Sequence, residues 1–425
     1  MLKKEFFKNV LPAMLAFAFS GIYAIVDGWF VGQNIGDTGL AAINIAYPIA
    51  ALIQAAGSGI GMGGAIQLGI CIGEKDEKGQ REFMGGTLLL LLAACLVLTG
   101  VLSFCGAPLL RLFGAEGEIL RLGQEYIQII SWGASCQILS TGLIPLIRNY
   151  DGAFLAMAAM VGGCITNVLF DWLFVSVWQY GIAGAAAATL LGQAVTLIPC
   201  MAFLLARKKL QTAVYRPNRL AEIGAVALSP FGLTLSPHIA LVILNKGALV
   251  YGGETAAACY AVISYVICVA QLLLQGIGDG AQPLVSRFFG LREKTSIRTI
   301  RRYSYLFSFG VALLCALAMF LLRNRIPPFF GTSEEVGRMI ASTLPTFLAG
   351  LGFAAFLRVT TSYFYAIRQN RLAYLLIYGE PLLLLAGVLL LPFIWDLDGV
   401  WIAVPAAQGV LTLLGGFLLK KSTPI

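Results

Sequence analysis

The sequence predicts an all-α polytopic membrane protein with twelve transmembrane helices in two six-helix lobes, and three observations carry this prediction. First, 59% of the residues are hydrophobic and only 12% are charged, about half the charged fraction of a soluble globular protein. Second, apolar blocks of about 20 residues or more, long enough to cross a bilayer as helix, recur along the whole chain. Third, the two halves of the chain carry an internal repeat.

The apolar blocks, separated by charged or Gly/Pro-rich breaks, give twelve predicted helices. They run approximately over 10–33, 38–72, 84–110, 118–146, 153–178, 182–205, 222–250, 255–286, 303–322, 338–366, 373–394 and 399–419. The blocks 38–72 and 255–286 exceed one span, so we expect each to tilt, bend or extend past the membrane interface.

The repeat aligns GIGMGGAIQLGICIGEKDEKGQR (59–81) with GIGDGAQPLVSRFFGLREKTSIR (276–298) at an offset of 217 residues. The same offset pairs GDT (36–38) with GET (253–255). Each half has six helices, an even number, so both halves begin on the same side of the membrane. The two lobes should therefore be related by a pseudo-two-fold axis along the membrane normal, with a cavity at their interface. The predicted domains are an N-terminal lobe (1–205), a cytoplasmic linker (206–221) and a C-terminal lobe (222–425).

Lysine and arginine predict the orientation. If the N-terminus is cytoplasmic, 22 of the 29 basic residues fall in cytoplasmic segments, Arg148 among them, and five fall in outer loops. Lys246 and Arg358 complete the count and lie within predicted helices. This asymmetry places both termini in the cytoplasm and the chain in the cytoplasmic membrane, as a multi-pass protein.

The motif inventory argues against an enzyme. The sequence contains no HExxH, GxSxG or Walker motif, and it has one histidine. The net charge of +8 reflects membrane orientation and indicates no nucleic-acid binding. We expect no cofactor, and two like-oriented lobes around a cavity favour a transporter over a channel.

Ionisable residues inside predicted membrane helices mark candidate sites, because each costs on the order of 3 kcal/mol to insert. Asp27 and Asp171 both lie in the N-terminal lobe, with Asn167 one turn before Asp171 on the same helical face. Thr189 follows in the next predicted helix, in the small-residue run GIAGAAAAT. Within the membrane, this lobe is predicted to contain no Lys or Arg that could neutralise these carboxylates. The carboxyl groups are therefore suited to bind a proton or, with the Asn and Thr oxygens, a Na⁺ ion; the alternative is a hydrogen bond that locks two helices together.

Pro12 lies 15 residues before Asp27 on the same predicted helix. A proline inside a helix removes one backbone hydrogen bond and permits a bend. Pro12 is therefore a candidate hinge, unless it merely marks the start of the helix.

The C-terminal lobe carries a more basic set of residues. Glu380 can pair with Arg358 or Lys246 as a structural contact, or these residues can line a substrate cavity. His238 is a core residue or a member of the same cavity. Asp279, within the repeated block, lies near the inner end of its helix and can reach the membrane interface.

Several motifs resemble the MATE family of multidrug and toxic compound extrusion transporters, over essentially the whole chain and closest to the DinF-like and MepA-like branch. They are IYAIVDGWFVGQNIGDTGLAA, GIGMGGAIQLGICIGEKDEKGQ, CITNVLFDWLF, GIAGAAAAT, YGGETAAACYAV, GIGDGAQPLVSRFFG and LDGVWIAVPAA.

The resemblance implies a twelve-helix, two-lobe antiporter that expels organic compounds in exchange for H⁺ or Na⁺ by alternating access. It also implies a coupling site, formed by Asp27, Asn167, Asp171 and Thr189, and a bend of the first helix at Pro12. Trp172 stands where many relatives have proline after the aspartate. Asn245 and Lys246 stand where another branch has an acidic residue, which disfavours cation coupling in that lobe.

We therefore expect a cation-coupled exporter of small organic compounds that works as a monomer in the lipid bilayer. The candidate substrate cavity comprises His238, Asn245, Lys246, Arg358 and Glu380. An exporter or flippase of anionic, zwitterionic or lipid-like compounds, selected by the basic C-terminal lobe, is the first alternative. A membrane sensor or scaffold that transports nothing is the second.

Overall fold

The computed structural model describes residues 2–209 and 216–421, and it is helical almost throughout. In chain order the helices are α1 (Leu2–Ile35), α2 (Asp37–Glu74), α3 (Glu77–Leu112), α4 (Gly117–Trp132), α5 (Ala134–Asn149), α6 (Ala153–Asp171), α7 (Gly181–Ala206), α8 (Pro217–Gly290), α9 (Lys294–Leu322), α10 (Ile326–Phe329), α11 (Glu334–Ala366), α12 (Asn370–Leu390) and α13 (Pro392–Lys421). A π-helical segment, Trp172–Val177, extends α6.

The described helices account for the twelve predicted spans. Ten are long and apolar enough to cross a membrane, and α4 with α5, bent by 56° at Gly133, forms an eleventh span. α8 has 74 residues and consists of two helices that meet at Gly253, so its two arms supply the remaining span. The predicted all-α class and the predicted break between 250 and 255 are both confirmed.

Some predicted boundaries are wrong. The predicted single helix 118–146 is interrupted at Gly133, which ends α4 and precedes α5. α13 begins at Pro392 rather than 399, but its backbone is non-helical at Trp395 and Asp396. The regular part of α13 thus follows a local break that the apolar pattern does not mark.

The repeated Gly-acidic-Thr motif has the same backbone role in both halves. Gly36 separates α1 from α2 with φ of 78°, and Gly253 separates the arms of α8 with φ of 64°. Only glycine adopts this left-handed region without strain. The two halves thus share a break between their first two helices, as duplication predicts.

Contacts divide the chain into two compact units. The first unit is Phe19–Leu235, and the second contains the described residues before Phe19 and after Leu235. The divisions fall inside α1 and α8, whereas the predicted lobes are divided at the linker 206–221. The lobe boundaries stay a prediction, and residues 210–215 of that linker lie outside the described residues.

Each unit has the pattern of a membrane-embedded bundle. The first unit contains an apolar core contributed by α1 to α7, in which Ile53, Leu91 and Leu143 are fully buried. The outer faces of the helices carry exposed apolar side chains such as Leu96 (78%) and Phe104 (87%). Exposed apolar side chains on helices of this length and hydropathy are typical of a membrane-embedded bundle.

Candidate functional site

The carboxyl groups of Asp27, in the C-terminal half of α1, and Asp171, the last residue of α6, lie within hydrogen-bonding reach of each other. Asp171 is fully buried, and neither of its carboxyl oxygens has a hydrogen-bond donor. Oδ1 of Asp27 also lacks one. Two ionised carboxylates cannot donate to each other, so a proton or cation between them would satisfy both groups.

Asn167 adds an unsatisfied amide to the carboxyl pair. It lies one turn before Asp171 on α6 and is 2% exposed, and neither its Oδ1 nor its Nδ2 has a partner. A buried polar group without a partner costs about 1–3 kcal/mol. The site therefore holds buried oxygen atoms ready to coordinate a small hard cation.

Thr189, on α7, lines the same cavity as Asn167. Its Oγ1 donates to the carbonyl of Ala185 at 3.1 Å, which leaves the oxygen lone pairs available. The buried alanines of the predicted small-residue run, Ala185 and Ala186, pack in the core beside it. A cross-helix bond from Thr196 Oγ1 to the Ala159 carbonyl, at 3.2 Å, joins α7 to α6.

A polar cavity of about 70 Å³ adjoins the carboxyl pair within the first unit. Helices α1, α2, α5, α6 and α7 form its walls. Its polar lining includes Ser20, Gln54, Thr141, Asn167, Thr189 and Gln193. Because these groups are neutral donors and acceptors, the cavity suits water or a small cation rather than an apolar ligand.

Two tyrosines belong to the site although the sequence interpretation did not name them. Tyr126, on α4 and 4% exposed, interacts electrostatically with both Asp27 and Asp171. Tyr23, one turn before Asp27 on α1, lines the cavity and interacts with Asp27. Tyr23 lies four residues before Asp27 and so shares its helical face, which could have predicted its place in the site. The sequence around Tyr126 has no feature that would predict its proximity to Asp27 and Asp171.

The chain continues after Asp171 as a π-helical segment that begins at Trp172. The backbone N–H of Trp178 donates to the carbonyl of Leu173 at 2.8 Å, five residues back. The side chain of Asn34 on α1 donates to Ser176 Oγ at 3.0 Å. π-Helical turns occur often at functional sites, and this one ties the ends of α1 and α6 together beside the carboxyl pair.

The candidate hinge, Pro12, lies inside the continuous helix α1. It falls in the second unit, while Asp27 falls in the first. The hinge role stays a prediction.

The residues predicted to line a substrate cavity lie on three helices of the second unit. On α8, Asn245 and Lys246 are exposed and His238 is half-buried; Arg358, on α11, is buried. None of the five lines the small cavity of about 10 Å³ described in this unit. Their grouping around a substrate stays a prediction.

Glu380 and Arg358 each have a neutral partner. Glu380 Oε1 accepts from Gln408 Nε2 at 3.0 Å, and Arg358 Nη2 donates to Gln271 Oε1 at 3.4 Å. The predicted ion pair of Glu380 with Arg358 or Lys246 does not occur within 4.0 Å in the part of the chain described.

Asp279 does not lie at a solvent-exposed interface. It is 6% exposed, and its Oδ1 accepts a 2.9 Å hydrogen bond from the hydroxyl of Tyr365. Tyr365 in turn contacts Ser362 Oγ at 2.9 Å. This carboxylate is therefore part of a buried hydrogen-bonded network between α8 and α11.

The chain matches known proteins along nearly its whole length. The family model MatE matches residues 12–173 and 240–378. A Multidrug export protein MepA from Staphylococcus saprophyticus is 22% identical over 417 residues, covering 94% of this chain and 89% of that protein.

Solved structures share the fold. One, described as the outward-facing conformation of a multidrug resistance MATE family transporter of the MOP superfamily, superimposes with a TM-score of 0.93 at 23% identity. It covers 99% of this chain and 95% of that one. Another, a MOP superfamily transporter from Pyrococcus furiosus described as having a binding pocket of reverse polarity, gives a TM-score of 0.92 at 24% identity, covering 99% and 95%.

The structural likeness confirms the predicted fold class, and the family match accounts for well over half of the chain. The chain belongs to the MATE family of membrane transporters.

Proposed function

We propose that the protein is a secondary active antiporter that exports small organic compounds across the cytoplasmic membrane in exchange for H⁺ or Na⁺. One observation carries the proposal: half-buried Asp27 and fully buried Asp171 form a carboxyl pair in which three of the four oxygens lack donors, next to the unsatisfied Asn167 amide. A buried charge without compensation is costly, so such a pair gains stability by taking up a cation.

The proposed cycle alternates between two states that differ in their affinity for the ion. A ligand shifts a conformational equilibrium only through such a difference. In the proposal, the ion enters from outside and neutralises the carboxyl pair, and this favours the state that releases substrate outside. Substrate binding from the cytoplasm favours the other state and expels the ion. The protein works as a monomer, with both termini in the cytoplasm.

The test is transport by purified protein in proteoliposomes, with pH and Na⁺ gradients imposed separately and a fluorescent lipophilic cation as the substrate probe. We expect the probe to accumulate against its gradient under at least one ion gradient and to leak back when an ionophore collapses that gradient. Equal probe movement with and without both gradients would contradict the proposal.

A second candidate function is export of anionic or zwitterionic compounds. The observation that favours it is Arg358, which is 6% exposed and whose Nη1 has no hydrogen-bond partner. A buried guanidinium with free donors can bind a carboxylate or phosphate. If this candidate is correct, a fluorescent organic anion is transported in the same assay and Arg358→Gln abolishes its transport. Transport of lipophilic cations alone, unchanged in Arg358→Gln, would remove it.

A further inference from the structure

Arg148 is a buried positive charge in the first unit. The orientation prediction places Arg148 in a cytoplasmic segment, but in the structure it lies in the last turn of α5 and is only 4% exposed. Its Nη2 is 3.9 Å from Met160 Sδ on α6, and the guanidinium interacts electrostatically with Cys200 on α7. Three helices of one unit thus enclose this charge.

Arg148 lies just beyond the polar cavity that adjoins the carboxyl pair. Met160 lines that cavity, and so does Ile144. Ile144 precedes Arg148 by four residues, so both side chains lie on the same face of α5. Ile144 and Met160 therefore form an apolar floor with the guanidinium behind it.

The carboxyl pair lies at the other end of the cavity. Asp171 follows Met160 by eleven residues on α6, which corresponds to roughly 16 Å along the helix axis. Asn167 and Gly163, between them, both line the cavity. Along α6 the cavity lining thus runs from Asn167, one turn before Asp171, to Met160, which contacts Arg148.

The cavity is large and polar enough to hold water. Its volume is about 70 Å³, whereas one buried water needs on the order of 15 Å³. Hydrogen-bonded water conducts protons and solvates small cations. Water in the cavity would therefore bring an ion as far as Ile144 and Met160, so that only this apolar layer and the guanidinium behind it stand between the ion and the far end of the first unit.

We propose that Arg148 is the electrostatic barrier that closes this cavity and prevents H⁺ or Na⁺ at the carboxyl pair from leaking through the first unit. The inference rests on the proposed ion coupling and adds a residue that keeps the coupling tight. An arginine suits the task because its guanidinium stays protonated even when buried, and fixed positive charge excludes protons and cations from pores.

The test measures ion leak without substrate. Proteoliposomes carrying the full chain receive an inside-negative K⁺ diffusion potential, and a trapped pH dye or Na⁺ dye reports cation entry. We expect Arg148→Gln to raise the leak about tenfold or more, because a nearby charge is removed from a poorly solvated path. Arg148→Lys, which keeps the charge, should leak at the wild-type rate.

Arg368 offers a matched control. It occupies the position equivalent to Arg148 in the second half of the repeat, 220 residues later, and it is exposed, two residues after α11 ends. Arg368→Gln should leave the leak at the wild-type rate.

Two further variants keep the proposal falsifiable. Met160→Glu places a carboxylate beside the guanidinium and neutralises its field, so it should raise the leak even if Arg148→Gln does not fold. Adding Asp27→Asn to either leaky variant should suppress the leak, because the path passes the carboxyl pair. Wild-type leak in both Arg148→Gln and Met160→Glu would overturn the proposal, as would a leak that persists with Asp27→Asn.

The two proposals fail differently. Gradient-driven transport by the wild-type protein, and its loss in Asp27→Asn, test ion coupling without reference to Arg148. If those results hold while the Arg148 variants leak no more than wild type, only the barrier is wrong.

Discussion

The buried carboxyl groups of the two units have opposite surroundings. In the first unit, Asp171 is fully buried and both its oxygens lack donors. In the second, Asp279 is almost as buried but accepts from Tyr365, which also contacts Ser362. A satisfied carboxylate stabilises a fold, whereas an unsatisfied one lowers local stability and can bind something. Burial alone therefore does not mark a candidate functional acid, whereas missing hydrogen-bond partners do.

The largest expected effect of breaking this contrast is on transport. Asp27→Asn and Asp171→Asn should each lower gradient-driven transport by roughly a hundredfold. Burying a carboxylate in the membrane costs about 3 kcal/mol, and the neutral amide removes this cost both with and without the ion bound, so ion binding no longer drives the change between the two transport states. Asp279→Asn should retain ion-coupled transport. Initial rates in proteoliposomes, normalised to inserted protein, check both; equal losses in all three variants would contradict the contrast.

The next effect is on stability, where we expect the substitution at Asp279 to cause a larger loss than the substitution at Asp171. Asp279→Asn should lower the free energy of unfolding by about 1.5–3 kcal/mol, because it weakens a buried hydrogen bond to a charged group. Asp171→Asn should leave stability unchanged or raise it, because it removes an uncompensated buried carboxyl. Thermal unfolding midpoints in detergent measure both, and a large loss of stability in Asp171→Asn alone would contradict this prediction.

A smaller effect tests whether Asn167 is a ligand of the ion. Asn167→Ala should weaken ion binding about tenfold, corresponding to one lost ligand worth roughly 1.4 kcal/mol. The ion concentration for half-maximal transport should rise while the maximal rate stays near wild type. Thr166→Ala on the same helix, whose hydroxyl donates to the Gly162 carbonyl at 2.8 Å, is the control; an equal shift there would argue against a specific role of Asn167.

The smallest effect concerns an ion pair outside both sites. Glu82 binds Arg219 at 3.2 Å in the first unit, and Arg219 also reaches Glu222 at 3.4 Å. Because Arg219 keeps a second acidic partner and is partly exposed, Glu82→Gln should cost only about 0.2–1 kcal/mol. The cost should shrink at high salt, and an unfolding midpoint insensitive to salt would contradict an electrostatic origin.

Much of the fold followed from local sequence patterns. Apolar block length predicted the spans, and the repeat predicted equivalent breaks, found at Gly36 and Gly253. The bend at Gly133 and the π-helical segment after Asp171 were missed. An apolar sequence has the same pattern whether its backbone hydrogen bonds are α-helical, π-helical or interrupted by a bend. Such irregularities depend on the packing of neighbouring helices, which the local sequence does not show.

The candidate site was predicted only in part. Asp27, Asn167 and Asp171 stood out because polar groups are rare in apolar helices. Tyr126 did not, because a tyrosine in an amphipathic helix has no distinctive local signal. Arg148 was assigned to a loop by the charge count, which records position near a helix end but cannot show that α6 and α7 cover the side chain.

One measurement tests the central claim most directly: the counter-ion movement that accompanies substrate efflux from proteoliposomes. The wild-type protein should take up H⁺ or Na⁺ in step with efflux, and the double variant Asp27→Asn, Asp171→Asn should show no substrate-linked ion movement. Ion movement at the wild-type ratio in the correctly folded double variant would contradict the assignment of coupling to this carboxyl pair.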